Sequence, residues 1–80
     1  MKAGDIVRGR VFSTAAFGIY LDVEGFHVLV HVLDVEWARD VGCTEYCKVG
    51  DVLDVKILRV VDATIALGWL PPPGERLERP

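Results

Sequence analysis

Residues 17 to 31 read Phe-Gly-Ile-Tyr-Leu-Asp-Val-Glu-Gly-Phe-His-Val-Leu-Val-His: two apolar strands around a Glu-Gly turn, with rings where the pattern calls for polar side chains. Successive side chains of a strand alternate faces, so Ile19, Leu21 and Val23 pointing inward turn Tyr20 and Asp22 outward. On the next run Val28, Val30 and Val32 form one apolar face and leave His27, Leu29 and His31 on the other. Phe17, Tyr20 and His31 then share one exposed surface whose chemistry is stacking. Tyrosine keeps its hydroxyl wet while offering a ring, and neutral histidine stacks and donates a hydrogen bond together. Surfaces of this kind hold the bases of single-stranded nucleic acid.

Three further positions bear on that surface. Arg8 and Arg10 share a face of the first strand, either as phosphate contacts or as an ordinary solvated face. Phe12 lies on that face as well, where it extends the stacking platform or covers an apolar patch that meets a protein partner. Asp62 is a site candidate and equally a turn cap, because aspartate in tight turns bonds its own backbone.

Other chemistries find little support. Cys43 and Cys47 with His27 and His31 offer zinc ligand types, but the cysteine spacing is not the knuckle form and the histidines sit on a strand. No nucleophile, base and orienting residue occur in a recognisable arrangement, and there is no glycine-rich phosphate loop. The expectation is a binding module, not an enzyme, without metal or cofactor.

The elements that must position these residues are strands. Alternation over residues 5 to 14 gives a first strand, in which Gly9 reads as a bulge or sharp bend. Residues 17 to 23 and 26 to 33 form a hairpin on the tight Glu24-Gly25 turn. Residues 34 to 41 lose the two-residue period and suit a short helical turn with Trp37 plugging the barrel end, and 42 to 50 read as a loop. A long fourth strand spans 51 to 61, and a fifth, 65 to 70, stops at Pro71-Pro72-Pro73 because proline cannot donate to a sheet. The sum is an all-β domain over residues 1–70, with 71–80 as a proline-rich flexible tail.

Composition sets the bounds. Eighty residues allow one domain, and half the chain is hydrophobic. No apolar run reaches the ~20 residues that span a bilayer, and no signal-type segment opens the chain, so a cytoplasmic monomer with no membrane partner is expected. Two cysteines are too few for a disulfide framework and read as reduced thiols. The net charge of −3 argues against a general nucleic-acid binder, although Lys2, Arg8 and Arg10 cluster near the first strand while acidic residues crowd the middle.

Five strands with a short connection between the third and fourth fit a Greek-key barrel of the OB-fold type, which binds oligonucleotides on strands two and three. The chain resembles the S1 RNA-binding domain through Gly4-Asp5-Ile6-Val7-Arg8-Gly9-Arg10-Val11, Phe17-Gly18-Ile19-Tyr20-Leu21, Leu29-Val30-His31-Val32, Asp34-Val35-Glu36-Trp37, Lys48-Val49-Gly50-Asp51, Val55-Lys56-Ile57-Leu58 with Val61-Asp62, and Ile65-Ala66-Leu67-Gly68. These run in family order over about residues 4 to 70. The resemblance implies a five-stranded antiparallel barrel with a short helical turn between strands three and four, binding single-stranded RNA through Phe17, Tyr20, His31 and Asp62. It also implies a ribosomal or ribonuclease setting, in which a protein partner is the alternative to RNA.

Departures from the family pattern are specific. Val28 stands where the family has Gly and crowds a position otherwise left open, and Leu33 replaces a Ser or Thr. The turn after Asp62 is short, and Ala63, Thr64 and Ala66 occupy the positions that would supply an Arg. Trp69 and Leu70 replace a segment that carries a Lys. A cationic edge is missing, so binding to RNA is expected to be weak and sequence-tolerant, and the apolar replacements favour protein docking as the rival.

Overall fold

Alternating burial builds the walls. A computed structural model describes residues 1–77, with strands β1 (Ile6–Ala15), β2 (Gly18–Val23), β3 (Phe26–His31), β4 (Val52–Val60) and β5 (Ile65–Trp69) closing into one barrel in the order β1-β2-β3-β5-β4. Val11, Ile19, Leu21, Val28, Val30, Val55, Ile57 and Ala66 fill it, and no polar or charged residue is buried among them. The all-β, five-stranded fold class is as expected. Four seams are antiparallel, whereas β3 and β5 run parallel, with His27 opposite Ile65 and Leu29 opposite Leu67. That exception is geometric: an odd number of strands cannot close a ring with every neighbour reversed.

Two bulges shape the outer face. One falls in β1 between Val11 and Ser13 opposite β2, and the other in β4 between Ile57 and Arg59 opposite β5. Gly9, expected as the bulge, instead pairs regularly with Leu53 of β4. Its reason is space, since a Cβ there would lie 2.9 Å from Val23 Cγ2 and 3.1 Å from Leu21 Cβ. The Glu24-Gly25 hairpin has positive φ at both residues, 50° and 87°, as a two-residue turn matched to strand twist requires.

Between β3 and β4 the chain caps the barrel. A 3-10 turn (Val32–Asp34) is followed by α1 (Ala38–Val41) and α2 (Cys43–Tyr46). The second helical turn lies where a loop was expected, because Gly42, at φ 86°, breaks one helical stretch into two. Trp37 is buried as the expected plug and stacks on Tyr46, ring centroids 4.3 Å apart and 21° between planes. Its indole N–H donates to the Leu70 carbonyl at 2.8 Å, and the Tyr46 hydroxyl donates to the Pro71 carbonyl at 2.7 Å. The segment expected as a tail thus begins at an anchored, buried Pro71, and the Glu75 N–H donates to the Pro72 carbonyl at 3.1 Å. Residues 78–80 of that expected tail lie outside the described residues. No helix of the described residues is long and apolar enough to cross a membrane.

Candidate nucleic-acid interface

The site grows from the start of β2. Gly18 pairs with His31, and a Cβ at Gly18 would lie 2.9 Å from Leu29 Cδ1 and 2.9 Å from the Val30 carbonyl oxygen. Glycine there lets β2 and β3 approach closely, which brings Phe17 beside His31 with ring centroids 6.4 Å apart. Phe17 also meets Tyr20 edge to face, 6.3 Å away at 88°, and remains 50% exposed. Phe17, Tyr20 and His31 therefore do form one surface. The Leu33 N–H donates to His31 Nδ1 at 3.1 Å. Accepting that bond needs a lone pair on Nδ1, so the neutral ring carries its proton on Nε2 and keeps that donor free.

The row of rings continues further than alternation alone indicates. At the β1 bulge Phe12 and Ser13 oppose Tyr20 together, and the Phe12 ring lies 6.0 Å from Tyr20 and 4.9 Å from His27. Five rings run without a gap from His31 through Phe17, Tyr20 and Phe12 to His27. The bulge that permits this leaves no composition signal, because Val11-Phe12-Ser13 reads as plain alternation.

The charged candidates separate. Arg8 opposes Asp54 of β4, and its Nε donates to the Asp54 carboxylate at 3.3 Å with the arginine 62% exposed, so the pair itself stabilises by roughly 0–1 kcal/mol at most. Arg10 opposes Asp22, which in turn opposes His27, and Arg10 makes no ion pair among the described residues. The bulge in β4 sets Arg59 opposite Leu67, so a cross-strand line runs Tyr20, Leu29, Leu67, Arg59. Alternation within β4 does not connect this cation with the aromatic surface; the pairing across the bulge does.

Asp62 sits apart from the Phe17, Tyr20 and His31 group. Its Oδ1 accepts from the Thr64 N–H at 2.7 Å, the Thr64 hydroxyl at 3.1 Å and the Ile65 N–H at 3.0 Å. These bonds, the Thr64 N–H first, hold its carboxyl below the usual value of 3.8. The turn abuts the other end of the row, where the His27 N–H donates to the Thr64 carbonyl at 2.8 Å.

The apolar departures are not alike. Val28 is fully buried and faces the core, so it does not obstruct the outer surface, and Trp69 is half-buried against the core. Leu33 alone of the three stands open, at 81% exposure. Cys43 and Cys47 are buried at the capped end while His27 and His31 lie on the outer face of β3, and no group able to hold a metal assembles among the described residues.

A closed Greek-key barrel with rings spread over its second and third strands defines an oligonucleotide-binding type of OB barrel. Within that class the chain belongs to the S1 RNA binding domain family, which it matches over residues 1–67, and it is a nucleic-acid-binding module. It is 41% identical over 59 residues to small ribosomal subunit protein bS1 of Helicobacter pylori, covering 74% of this chain and 11% of that protein. It is 31% identical over 62 residues to the polyribonucleotide nucleotidyltransferase of Lactococcus lactis, covering 76% of this chain and 8% of that enzyme. The chain spans about a tenth of the length of these relatives. GSP13 from Bacillus subtilis shares the fold with a TM-score of 0.72 at 24% identity, over 96% of this chain and 65% of that one. Protein MJ1198 of Methanocaldococcus jannaschii does so with a TM-score of 0.69 at 18% identity, over 94% and 97% of the two chains.

Proposed function

We propose that the barrel is a non-enzymatic module that holds a few nucleotides of single-stranded RNA across Phe17, Tyr20 and His31. The observation that carries this reading is the contact of these three rings on an open face, with Phe17 half exposed although it touches both others. Stacking contributes ~1–3 kcal/mol per base and tolerates any base, because every base has a π face. Arg10 on one side and Arg59 on the other are the phosphate contacts, and Arg8, engaged with Asp54, is the weaker candidate. Asp62 acts chiefly through its turn and offers its second carboxylate oxygen to the ligand. With a net charge of −3 and few cations at hand, binding is micromolar or weaker and falls with salt.

The test is a chemical-shift titration of the labelled protein with short unstructured RNA, repeated on two variants. Shifts centred on β2 and β3 are expected. Tyr20→Ala keeps the fold and loses binding, whereas Leu21→Ala, truncating a fully buried side chain, costs ~2–5 kcal/mol of stability. Equal destabilisation by both variants contradicts the face assignment. The rival reading, docking on a ribosomal or ribonuclease assembly, draws on the open Leu33 and the acidic balance. It is the one left standing if millimolar RNA in low salt produces no shifts.

A further inference from the structure

We propose that Phe12 and His27 form a second base-stacking station at the hairpin end of the aromatic row, so that this barrel grips a longer RNA than Phe17, Tyr20 and His31 alone can hold. The inference rests on the single-stranded RNA reading and extends it. β1 and β3 are not neighbours in the barrel, because β2 lies between them. The Phe12 ring nevertheless comes within 4.9 Å of the His27 ring, so it reaches across β2 instead of standing over its own strand. The bulge between Val11 and Ser13 makes this possible by turning Phe12 and Ser13 outward together. Despite contacts with Tyr20 and His27, Phe12 stays 42% exposed, and His27 is exposed as well.

The station is also furnished for the rest of a nucleotide. Arg10 and Asp22 face each other on the same outer surface, with His27 opposite Asp22. Arg10 is placed for a phosphate. One Asp22 oxygen accepts the Gly25 N–H at 3.2 Å, and the other is not engaged among the described residues. A carboxylate oxygen in that position accepts from base amino groups. Along β3, His27 and His31 stand four residues apart, about 13 Å at ~3.3 Å per residue, so the two ends of the row serve different nucleotides.

The experiment is calorimetric titration at low salt with an unstructured oligonucleotide series from dinucleotide to octanucleotide, on the parent, Phe12→Ala, Phe12→Leu, His27→Ala and Tyr20→Ala, with melting curves to verify folding. The parent should gain affinity with length. Phe12→Ala should bind the dinucleotide like the parent yet lose about 5- to 150-fold on the octanucleotide, the loss of one stacked base. Phe12→Leu should lose as much, since leucine covers apolar surface but presents no ring, and His27→Ala should lose part. Parent-like length dependence in Phe12→Ala, or its restoration by Phe12→Leu, overturns the second station. If that happens while Tyr20→Ala abolishes binding, the primary reading survives alone; a parent that binds no oligonucleotide overturns both.

Discussion

At Asp62 a turn and the proposed binding site draw on the same carboxylate. Three donors converge on Oδ1, two of them backbone N–H groups, so the residue is a turn cap first and its lowered pKa follows from those bonds. The neighbour that matters for affinity is Thr64, whose carbonyl accepts the His27 N–H and which therefore stands beside the hairpin end of the row. Thr64→Arg gives up only the hydroxyl bond to Asp62, keeps the backbone ones, and introduces the cation the family pattern would supply. Its expected effect is tighter RNA binding at low salt and a steeper salt dependence, by roughly 0.7 in log affinity per log salt for one more released counterion. Affinity measured across a salt series decides: an unchanged slope means the new guanidinium does not reach a phosphate. Steric blockage by Val28, the competing reason for expecting weak binding, is removed by that side chain's complete burial.

The parallel β3–β5 seam explains Val28 differently. A Cβ on Gly68 of β5 would lie 2.6 Å from Val28 Cγ1 and 2.7 Å from Val55 Cγ2, so Val28 occupies the volume that Gly68 leaves vacant. Gly68→Ala should therefore cost about 1–3 kcal/mol by overpacking. Val28→Ala should lower that cost, with a favourable coupling of roughly 0.5–3 kcal/mol, incomplete because Val55 still crowds the new methyl. Urea melts of the two single variants and the double variant measure it, and strict additivity would mean that the two positions do not share space. The strands themselves were legible because each buries one face, which imposes the two-residue period; β1, β2 and β4 fall within a residue or so of the expected bounds. The bulges at Phe12 and Leu58 and the turn Cys43–Tyr46 were not, since each depends on what packs beside it and not on its own composition.

For the molecule as a whole, the two thiols report on the cap. Cys43 and Cys47 are buried at the end closed by Trp37, and burial raises both thiols. Cys47 is pushed up to about 11 by burial first and then by Asp51 and Cys43. The thiolate is the reactive species, so a thiol reagent at mildly alkaline pH should label the native protein slowly, at the rate at which the cap opens, and the denatured protein at once. Prompt native labelling at both positions would mean that the α1–α2 cap does not hold the barrel end shut. By itself the sequence determined which segments become strands, the inward valines and the outward rings Phe17, Tyr20 and His31, because a single small core leaves each strand one way to face. Tertiary structure decided which outward residues meet. The contact of Phe12 with His27, the pairing of Arg8 with Asp54, the line from Tyr20 to Arg59 and the fit of Val28 over Gly68 all join residues on different strands. Their distances depend on register and bulges, which are set only when the barrel closes.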